Sequence, residues 1–294
     1  IAALQLMLDR GNEKDWFDAF EIQLYLVLAF LGFYWYWVHW RSSERTFVNL
    51  GLLRDRNFGV ATGFIFIVGI LLFATMALMP PYLQNLMDYP VVTTGLLLAP
   101  RGVGTLVSMT IVGRLMARGI DVRKPVIVGI LLIALSLGLS AGFGPDVPMW
   151  PIINVGVLQG LGLGLVFVPV STLAYATLPA SARSEAAGIF SLARNIGSSV
   201  GISIMFTLVA RNTQLNHAEI ASRVSLNSSQ LPASILHGLA MLNAEVTRQA
   251  AAIAYINDFW LMMWMSLVAL PFVFLFRVPR RAGGTTVESP VAEP

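Results

Sequence analysis

The chain has 294 residues, of which 56% are hydrophobic and only 12% are charged. Its mean hydropathy of +0.71 is far higher than a water-soluble chain of this length needs to fill its core. The formal net charge is +3, but the basic residues are dispersed among short segments, which argues against a nucleic-acid-binding surface. Cysteine is absent, which excludes a disulfide framework, a thiolate nucleophile and a cysteine-based metal site.

Seven apolar segments are each near or above the roughly 20 residues that cross about 30 Å of hydrocarbon. In chain order they are 22–40, 58–79, 93–116, 125–143, 150–177, 186–210 and 255–276. The pattern predicts an all-α integral membrane protein with seven transmembrane helices. Residues 1–8 form an apolar run with neither an initiator Met nor a signal peptide, so we expect a fragment of a larger protein, cut within a helix.

Basic residues fall into every second gap between the spans. Twelve of the 19 Lys and Arg residues lie in the segments 41–57, 114–124, 178–185 and 277–294. The segments 80–92 and 144–149 contain none. The positive-inside rule therefore predicts that the first set is cytoplasmic and that residues 9–21 face outward.

Two arginines, Arg101 and Arg194, lie inside spans, where each costs about 2.5–3.5 kcal/mol on insertion scales. Both occur in a repeated pattern in which Gly is followed by Arg six positions later and by a second Gly three positions after that. The matched positions are Gly95, Arg101, Gly104, Val107 and Ser108 in the first copy, and Gly188, Arg194, Gly197, Val200 and Gly201 in the second. Because the two helices run in opposite directions, the repeat predicts inverted three-helix units, as in many secondary transporters.

The last six spans then divide into the triplets 58–143 and 150–276. In each triplet the middle helix carries a small-xxx-small step, which lets two helices pack closely. We expect Pro169 to interrupt the opening helix of the second triplet, because transport proteins use such breaks at binding sites.

Four segments resemble those of a known family. They are LQLMLDRGNEKDWF at Leu4–Phe17, PPYLQ at Pro80–Gln84, LAPRGVG at Leu98–Gly104 and RNIGSSVGISI at Arg194–Ile204. Together they resemble the C-terminal half of EmrB/QacA-type drug:proton antiporters, which are fourteen-helix members of the major facilitator superfamily. The resemblance implies that 1–57 holds the end of one central linker helix and the second linker helix, 22–40. It also implies that 58–276 is the C-terminal six-helix bundle and 277–294 a disordered cytoplasmic tail.

This resemblance implies a multidrug efflux permease that exports lipophilic or amphiphilic compounds by proton antiport and alternating access, in the inner membrane of a bacterium. It would need no cofactor beyond the proton motive force. Its partners would be its substrates, the bilayer, the missing N-terminal half with the main proton-binding acid, and possible periplasmic adaptor and outer-membrane channel proteins. The alternative is an exporter or importer of another cargo, such as a metabolite or siderophore. An enzyme is not expected, because the spans contain no HExxH motif and no pair of acids.

Eight residues are candidates for the substrate and transport path: Tyr82, Gln84, Arg101, Gln159, Tyr175, Arg194, Asn195 and Asp258. Each has a plainer interpretation. The two arginines would fix helix packing through backbone carbonyls, and Gln159 and Asn195 would form hydrogen bonds between helices, worth about 0.6–2 kcal/mol each. Asp258 would either exchange protons or complement the dipole at a helix N-terminus.

The segment GRLMARGIDVRK at Gly113–Lys124 resembles the cytoplasmic gating motif of the superfamily. The candidate gating residues are Gly113, Arg118, Asp121 and Arg123. The segment departs from the motif at Ala117, where the family has Asp, so we expect this half to bind and move while proton coupling occurs elsewhere.

Residues 211–254 make an outward segment of about 44 positions with no predicted span. The resemblance suggests a surface for an adaptor, and the alternative is a plain surface helix. The aromatic residues between Phe33 and Trp40 are typical of a membrane-interface belt.

Overall fold

The structure is a computed structural model that describes residues 2–11, 14, 16–42, 50–223 and 235–276. Most of these residues are helical, and none of the described residues lies in a strand. The helices are α1 (Ala2–Gly11), α2 (Phe20–Ser42), α3 (Arg56–Pro81), α4 (Val91–Ala117), α5 (Arg123–Ser140), α6 (Met149–Ala176), α7 (Arg183–Arg223), α8 (Ile235–Val268) and α9 (Leu270–Val273). Seven helical segments are long and apolar enough to cross a membrane, which confirms the predicted fold class.

Contacts at the helix ends show that successive spans run in opposite directions. Asp55 caps the start of α3 by accepting the Phe58 N–H, and it also accepts a hydrogen bond from Thr177 at the end of α6, at 2.7 Å. The guanidinium of Arg123, at the start of α5, donates to the carbonyl of Phe276. These residues share one side of the bundle, which is the predicted cytoplasmic side.

Other contacts join the opposite ends of the helices, on the predicted outward side. The Tyr82 hydroxyl, just after α3, donates to the carbonyls of Phe143 and Gly144, just after α5, at 3.3 Å each. Asn216 of α7 donates to the Ala250 carbonyl of α8 on the same side. The helices therefore alternate in direction, as the distribution of Lys and Arg predicted.

The two triplets are α3–α5 and α6–α8, and their helices pack across the triplets in matching pairs: α4 packs on α6, and α7 packs on α3. A Cβ added at Gly160 of α6 would lie 2.0 Å from the Arg101 carbonyl oxygen of α4. Likewise, a Cβ added at Gly69 of α3 would lie 2.5 Å from the Arg194 carbonyl oxygen of α7. Each repeated arginine thus stands where its helix backbone touches a glycine of the opposite triplet's opening helix, as an inverted repeat requires.

The predicted small-xxx-small steps lie in these same contacts. Gly104 faces the Val157 carbonyl, and a Cβ there would come within 2.6 Å of it. Gly201 faces the backbone of Ile70, with a corresponding distance of 2.7 Å. Because α4 and α7 have small residues at these points, each backbone approaches its partner helix closely. Dispersion contacts can then hold the paired helices together in lipid.

The break occurs at the end of α3, the opening helix of the first triplet, and not in α6, where it was predicted. Pro169 is buried inside an uninterrupted α6, so the expected interruption there is wrong. Instead, α3 ends at Pro80 and Pro81 and passes directly into a π-helical segment, Tyr82–Leu86. Consecutive prolines remove two backbone donors and disturb the regular ladder, which explains the change of helical pitch there.

For the outward segment 211–254, a loop is wrong and the alternative of a surface helix agrees with the structure. Most of 211–254 is helical, because α7 continues to Arg223 and α8 begins at Ile235. At 41 residues, α7 is roughly 60 Å long, about twice the hydrocarbon thickness. The apolar segment of the sequence ends at residue 210. Beyond that point α7 continues as a helix that pairs with α8. We call residues 211–223 and 241–254 the outward hairpin.

The N-terminal helices lie beside the bundle. α1 contacts α7, and Glu21 at the start of α2 pairs with Arg10 at 2.6 Å and with Lys14 at 3.8 Å. The middle of α2 is exposed on nearly all sides, and the guanidinium of Arg41 lies 4.4 Å from the centre of the Trp37 ring. Such a surface suits lipid and an interfacial aromatic belt. The predicted tail, 277–294, lies outside the described residues.

Candidate functional site

A narrow cavity lies inside the bundle and brings together two of the predicted site residues, Arg101 of α4 and Gln159 of α6. Its lining is otherwise mainly apolar and includes Phe64, Val68, Leu71, Ile133, Leu163 and Val166. The volume of this cavity is about 20 Å³. In this conformation the cavity has room for about one water molecule and none for a drug-sized ligand.

Arg101 is 9% exposed and donates one hydrogen bond from Nη2 to the Leu72 carbonyl of α3, at 3.4 Å. A carboxylate is absent from the cavity lining. The guanidinium thus joins α4 to α3, while its backbone carbonyl rests on Gly160 of α6. The packing interpretation of Arg101 and the transport interpretation are compatible here, because a cation with spare donors faces an apolar space.

Arg194, the equivalent residue of the second repeat, is half-buried, and its buried Nε has no hydrogen-bond partner. One turn before it on α7, Phe190 packs edge-to-face on Tyr175 of α6, with ring centroids 5.7 Å apart. Arg194 also lies within electrostatic range of the Tyr175 hydroxyl. Arg194 and Tyr175 are therefore neighbours between α6 and α7, in a cluster separate from the Arg101 cavity.

Asn195 is exposed on α7, so a hydrogen bond that joins two helices is not formed in this structure. Gln159, in contrast, is 5% exposed and lines the cavity beside Arg101. Of the two amides, only Gln159 is placed to act on an occupant of the bundle interior.

Asp258 lies deep within the second triplet. The carboxyl is 1% exposed, and its Oδ2 is buried without a hydrogen-bond partner. The helix-dipole interpretation is wrong, because α8 begins at Ile235 and Asp258 is in its interior rather than in its first turn. The sequence prediction failed because it began the helix at the edge of the apolar segment.

Three aromatic side chains pack together beside Asp258, and we call them the aromatic plug: Tyr82, Tyr255 and Phe259. The Tyr82 ring packs edge-to-face on Tyr255 at 5.3 Å and on Phe259 at 6.0 Å. Gln84, also in the π-helical segment, is half-buried and makes no described side-chain hydrogen bond. Tyr82 was predicted from the PPYLQ run, whereas Tyr255 and Phe259 were missed because single aromatics in an apolar helix carry no distinctive signal.

The predicted gating residues lie at the cytoplasmic end of α4 and the start of α5. Gly113 and Arg118 are exposed, and Arg118 ends α4. Asp121 is exposed and accepts a hydrogen bond from the Arg123 N–H at 3.0 Å. Among the four gating candidates, Arg123 makes the described contact with a distant segment, through the Phe276 carbonyl just after α9. Asp55 and Thr177 join the start of α3 to the end of α6, and they were not predicted because they match no motif.

The described residues contain no group of three His, Asp or Glu side chains that could hold a metal ion. Paired three-helix repeats, buried charges and a narrow apolar cavity inside the bundle together define a multi-pass membrane protein of the secondary-transporter class.

A family model described as Major Facilitator Superfamily matches residues 15–202 of the chain. Because this match covers more than half of the sequence, the chain belongs to the major facilitator superfamily.

Curated relatives agree with this assignment. The chain is 28% identical over 299 residues to the multidrug export protein EmrB of Escherichia coli K12, covering 97% of this chain and 57% of EmrB. It is 29% identical over 300 residues to the fatty acid resistance protein FarB of Neisseria gonorrhoeae, covering 97% of this chain and 58% of FarB. It is 30% identical over 208 residues to a multidrug resistance protein B homolog of Mycobacterium tuberculosis H37Rv, covering 69% of this chain and 37% of that protein. The chain thus resembles an EmrB-type transporter but spans little more than half the length of the first relatives.

Proposed function

We propose that this chain forms the C-terminal half of a multidrug efflux permease that exports lipophilic or amphiphilic compounds in exchange for protons. The observation that carries the proposal is the similarity to multidrug export proteins over 97% of the chain, together with the paired inverted triplets. In this proposal α1 and α2 belong to the linker, 58–276 is the C-terminal bundle, and the proton motive force is the only energy source. The membrane is the inner membrane of a bacterium, as the relatives imply.

The bundle contributes to alternating access through its joined ends. Asp55 and Thr177 hold the cytoplasmic ends of the two opening helices together, and the aromatic plug packs beside Asp258. The cavity beside Arg101 is too narrow for a drug-sized ligand in this conformation, so transport requires a rearrangement. Separation at one end at a time would expose the interior alternately to the two sides of the membrane.

The complete gene that encodes this chain tests the function in a strain that lacks its major efflux pumps. We expect expression to lower the accumulation of a lipophilic dye such as ethidium, and we expect a protonophore to restore it. Unchanged accumulation across lipophilic cations, neutral compounds and fatty acids would contradict efflux. Lower accumulation that persists with the protonophore would contradict proton coupling.

A second candidate cargo is an amphiphilic carboxylate. Arg101 faces an apolar cavity with no carboxylate in its lining, and FarB, a relative over 97% of the chain, is named for fatty acid resistance. A cation in an apolar space favours a ligand with an anionic head and an apolar tail. Resistance to a medium-chain fatty acid, lost in Arg101→Gln while dye efflux persists, would favour this cargo.

The outward hairpin is the proposed contact for a periplasmic adaptor protein. It carries exposed apolar side chains beyond the predicted membrane boundary, including Leu215 at 59% and Met241 at 75% exposure. The two helices are held together by Asn216 and by a hydrogen bond between His217 and Asn243. Apolar side chains on a paired helical projection are typical of a protein contact surface.

A further inference from the structure

Asp258 is a buried carboxyl that no described group neutralises. The side chain is 1% exposed, its Oδ2 lacks a hydrogen-bond partner, and none of the described ion pairs involves it. On its own helix, Tyr255 lies one turn away, and the following turn brings Met262 onto Thr75 of α3. The carboxyl is therefore held among apolar and neutral groups.

The titratable and charged residues on the elements packed against α8 are few. They are Arg56 at the start of α3, Tyr82 beyond its end, Arg123 and Lys124 at the start of α5, and Arg183, Glu185, Arg194, Arg211, His217 and Glu219 on α7. The hydrogen bond from Asn216 to the Ala250 carbonyl fixes the antiparallel register of α7 and α8. By that register Asp258 lies about level with Leu208, between Arg194 and Arg211.

At that level α7 offers hydroxyls rather than charges. Ser203 is 4% exposed, and its Oγ is buried without a partner, while Thr207 donates to the Ser203 carbonyl. Ser203 and Thr207 line a pocket together with Leu8 of α1, so these hydroxyls face α1, and the described contacts place no charge of α7 beside the carboxyl. Unsatisfied polar atoms in a membrane interior are uncommon, and ionisable ones there usually serve function.

An ionised Asp258 in this setting would lack both water and a counter-charge, which costs several kcal/mol even after relaxation. A neutral carboxylic acid avoids most of that cost. We propose that Asp258 is a proton-binding site of this half of the carrier, protonated in the closed conformation and ionised when water reaches it. This inference rests on the proposed proton antiport and adds a coupling residue to a half that sequence analysis expected only to bind and move.

The chemical step is the addition of one proton. When the outward side opens, a carboxylate oxygen takes a proton from water at that face and forms an O–H bond. After closure the neutral acid is held on the face of α8 that packs on α3 and the π-helical segment, and it returns the proton to water when the opposite side opens. In this proposal, Tyr82 and Tyr255 of the aromatic plug, together with the π-helical segment, control the access of water from the outward side to Asp258.

Infrared spectroscopy of the complete protein in lipid tests the protonation directly. Protonated and ionised carboxyl groups absorb separately, and the test needs no substrate. At neutral pH we expect wild-type protein to show a protonated-carboxyl band that is lost in Asp258→Asn. The matched control is Asp146→Asn, at an exposed aspartate of the loop between α5 and α6, which should leave the band unchanged.

Asp258→Glu guards against a misfolded Asn variant, because it keeps a carboxyl at the same site. We expect this variant to retain a protonated band at a shifted frequency. Identical protonated bands in wild type, Asp258→Asn and Asp258→Glu would overturn the inference, since Asp258 would then be ionised. The band is measured without transport, so an Asp258 band in a protein that exports no dye would contradict the proposed function and not the protonation.

Discussion

At the scale of single residues, the arginines of the repeat occupy unequal surroundings. Arg101 is buried and bonded to the Leu72 carbonyl, whereas Arg194 is half-buried with an unpaired Nε beside Tyr175. The two arginines therefore occupy equivalent positions in the repeat but lie in different environments. Arg101 holds α3 and α4 together at the cavity, and Arg194 faces the space between α6 and α7.

We expect Arg101→Ala to impair transport or assembly more than Arg118→Ala. The first change removes a charged hydrogen bond worth about 1.5–3 kcal/mol and enlarges a cavity inside the bundle. Arg118 is exposed at the end of α4, so its loss should change little. Thermal stability in detergent and efflux normalised to membrane expression measure both effects. Equal and negligible losses in the two variants would remove the case for a structural role of the buried arginine.

At the scale of helices, the bundle depends on glycines at the crossing points between triplets. Gly160 of α6 meets the Arg101 carbonyl of α4, and Gly69 of α3 meets the Arg194 carbonyl of α7. Backbone contact at these points sets the separation of the helices and hence the width of the cavity. Two backbones that touch leave no space for a side chain, even one as small as a methyl group.

We expect Gly160→Ala to destabilise the bundle by about 1–3 kcal/mol through overpacking. The matched control is Gly156→Ala, one turn earlier on α6, where the new Cβ would lie 3.9 Å from Arg101 Cβ, an ordinary contact distance. Thermal unfolding of the two purified variants in the same detergent gives the comparison. A melting temperature for Gly160→Ala equal to that of Gly156→Ala would show that the α4 and α6 backbones are farther apart than described.

At the scale of the whole molecule, sidedness connects the individual contacts. Asp55, Thr177, Arg123 and Phe276 share one end of the bundle, whereas Tyr82 and the outward hairpin share the other. The basic residues concentrate at the first end, which the positive-inside rule assigns to the cytoplasm. Proton uptake at Asp258 from the outward side depends on this assignment.

Single-cysteine labelling tests the sidedness, because the chain has no cysteine of its own. We expect Asp146→Cys and Leu215→Cys to react with a membrane-impermeant maleimide added to intact cells. Asp121→Cys, exposed at the opposite end, should react only after the membrane is permeabilised. The reverse pattern would contradict the orientation. Crosslinking from Leu215→Cys to a co-expressed adaptor would then test the proposed contact of the outward hairpin.

The sequence by itself determined the number of spans, their order and their alternation. A bilayer accepts only helices that satisfy their own backbone hydrogen bonds over about 20 apolar residues, so composition within such a window is enough. It also identified both repeat arginines and the packing glycines Gly104 and Gly201, whereas Gly69 and Gly160 on the opposing helices were not predicted. These signals are local, since they depend on residues a few positions apart.

Only the tertiary structure decided what surrounds each candidate. Pro169 lies in an uninterrupted helix, α7 and α8 continue beyond the apolar segments, and Asp258 lies inside α8 instead of at its start. Helices outside the membrane are stabilised by pairing with each other. The protonation of a buried carboxyl depends on side chains from other helices. Both depend on contacts between residues distant in the chain, which no local pattern in the sequence specifies.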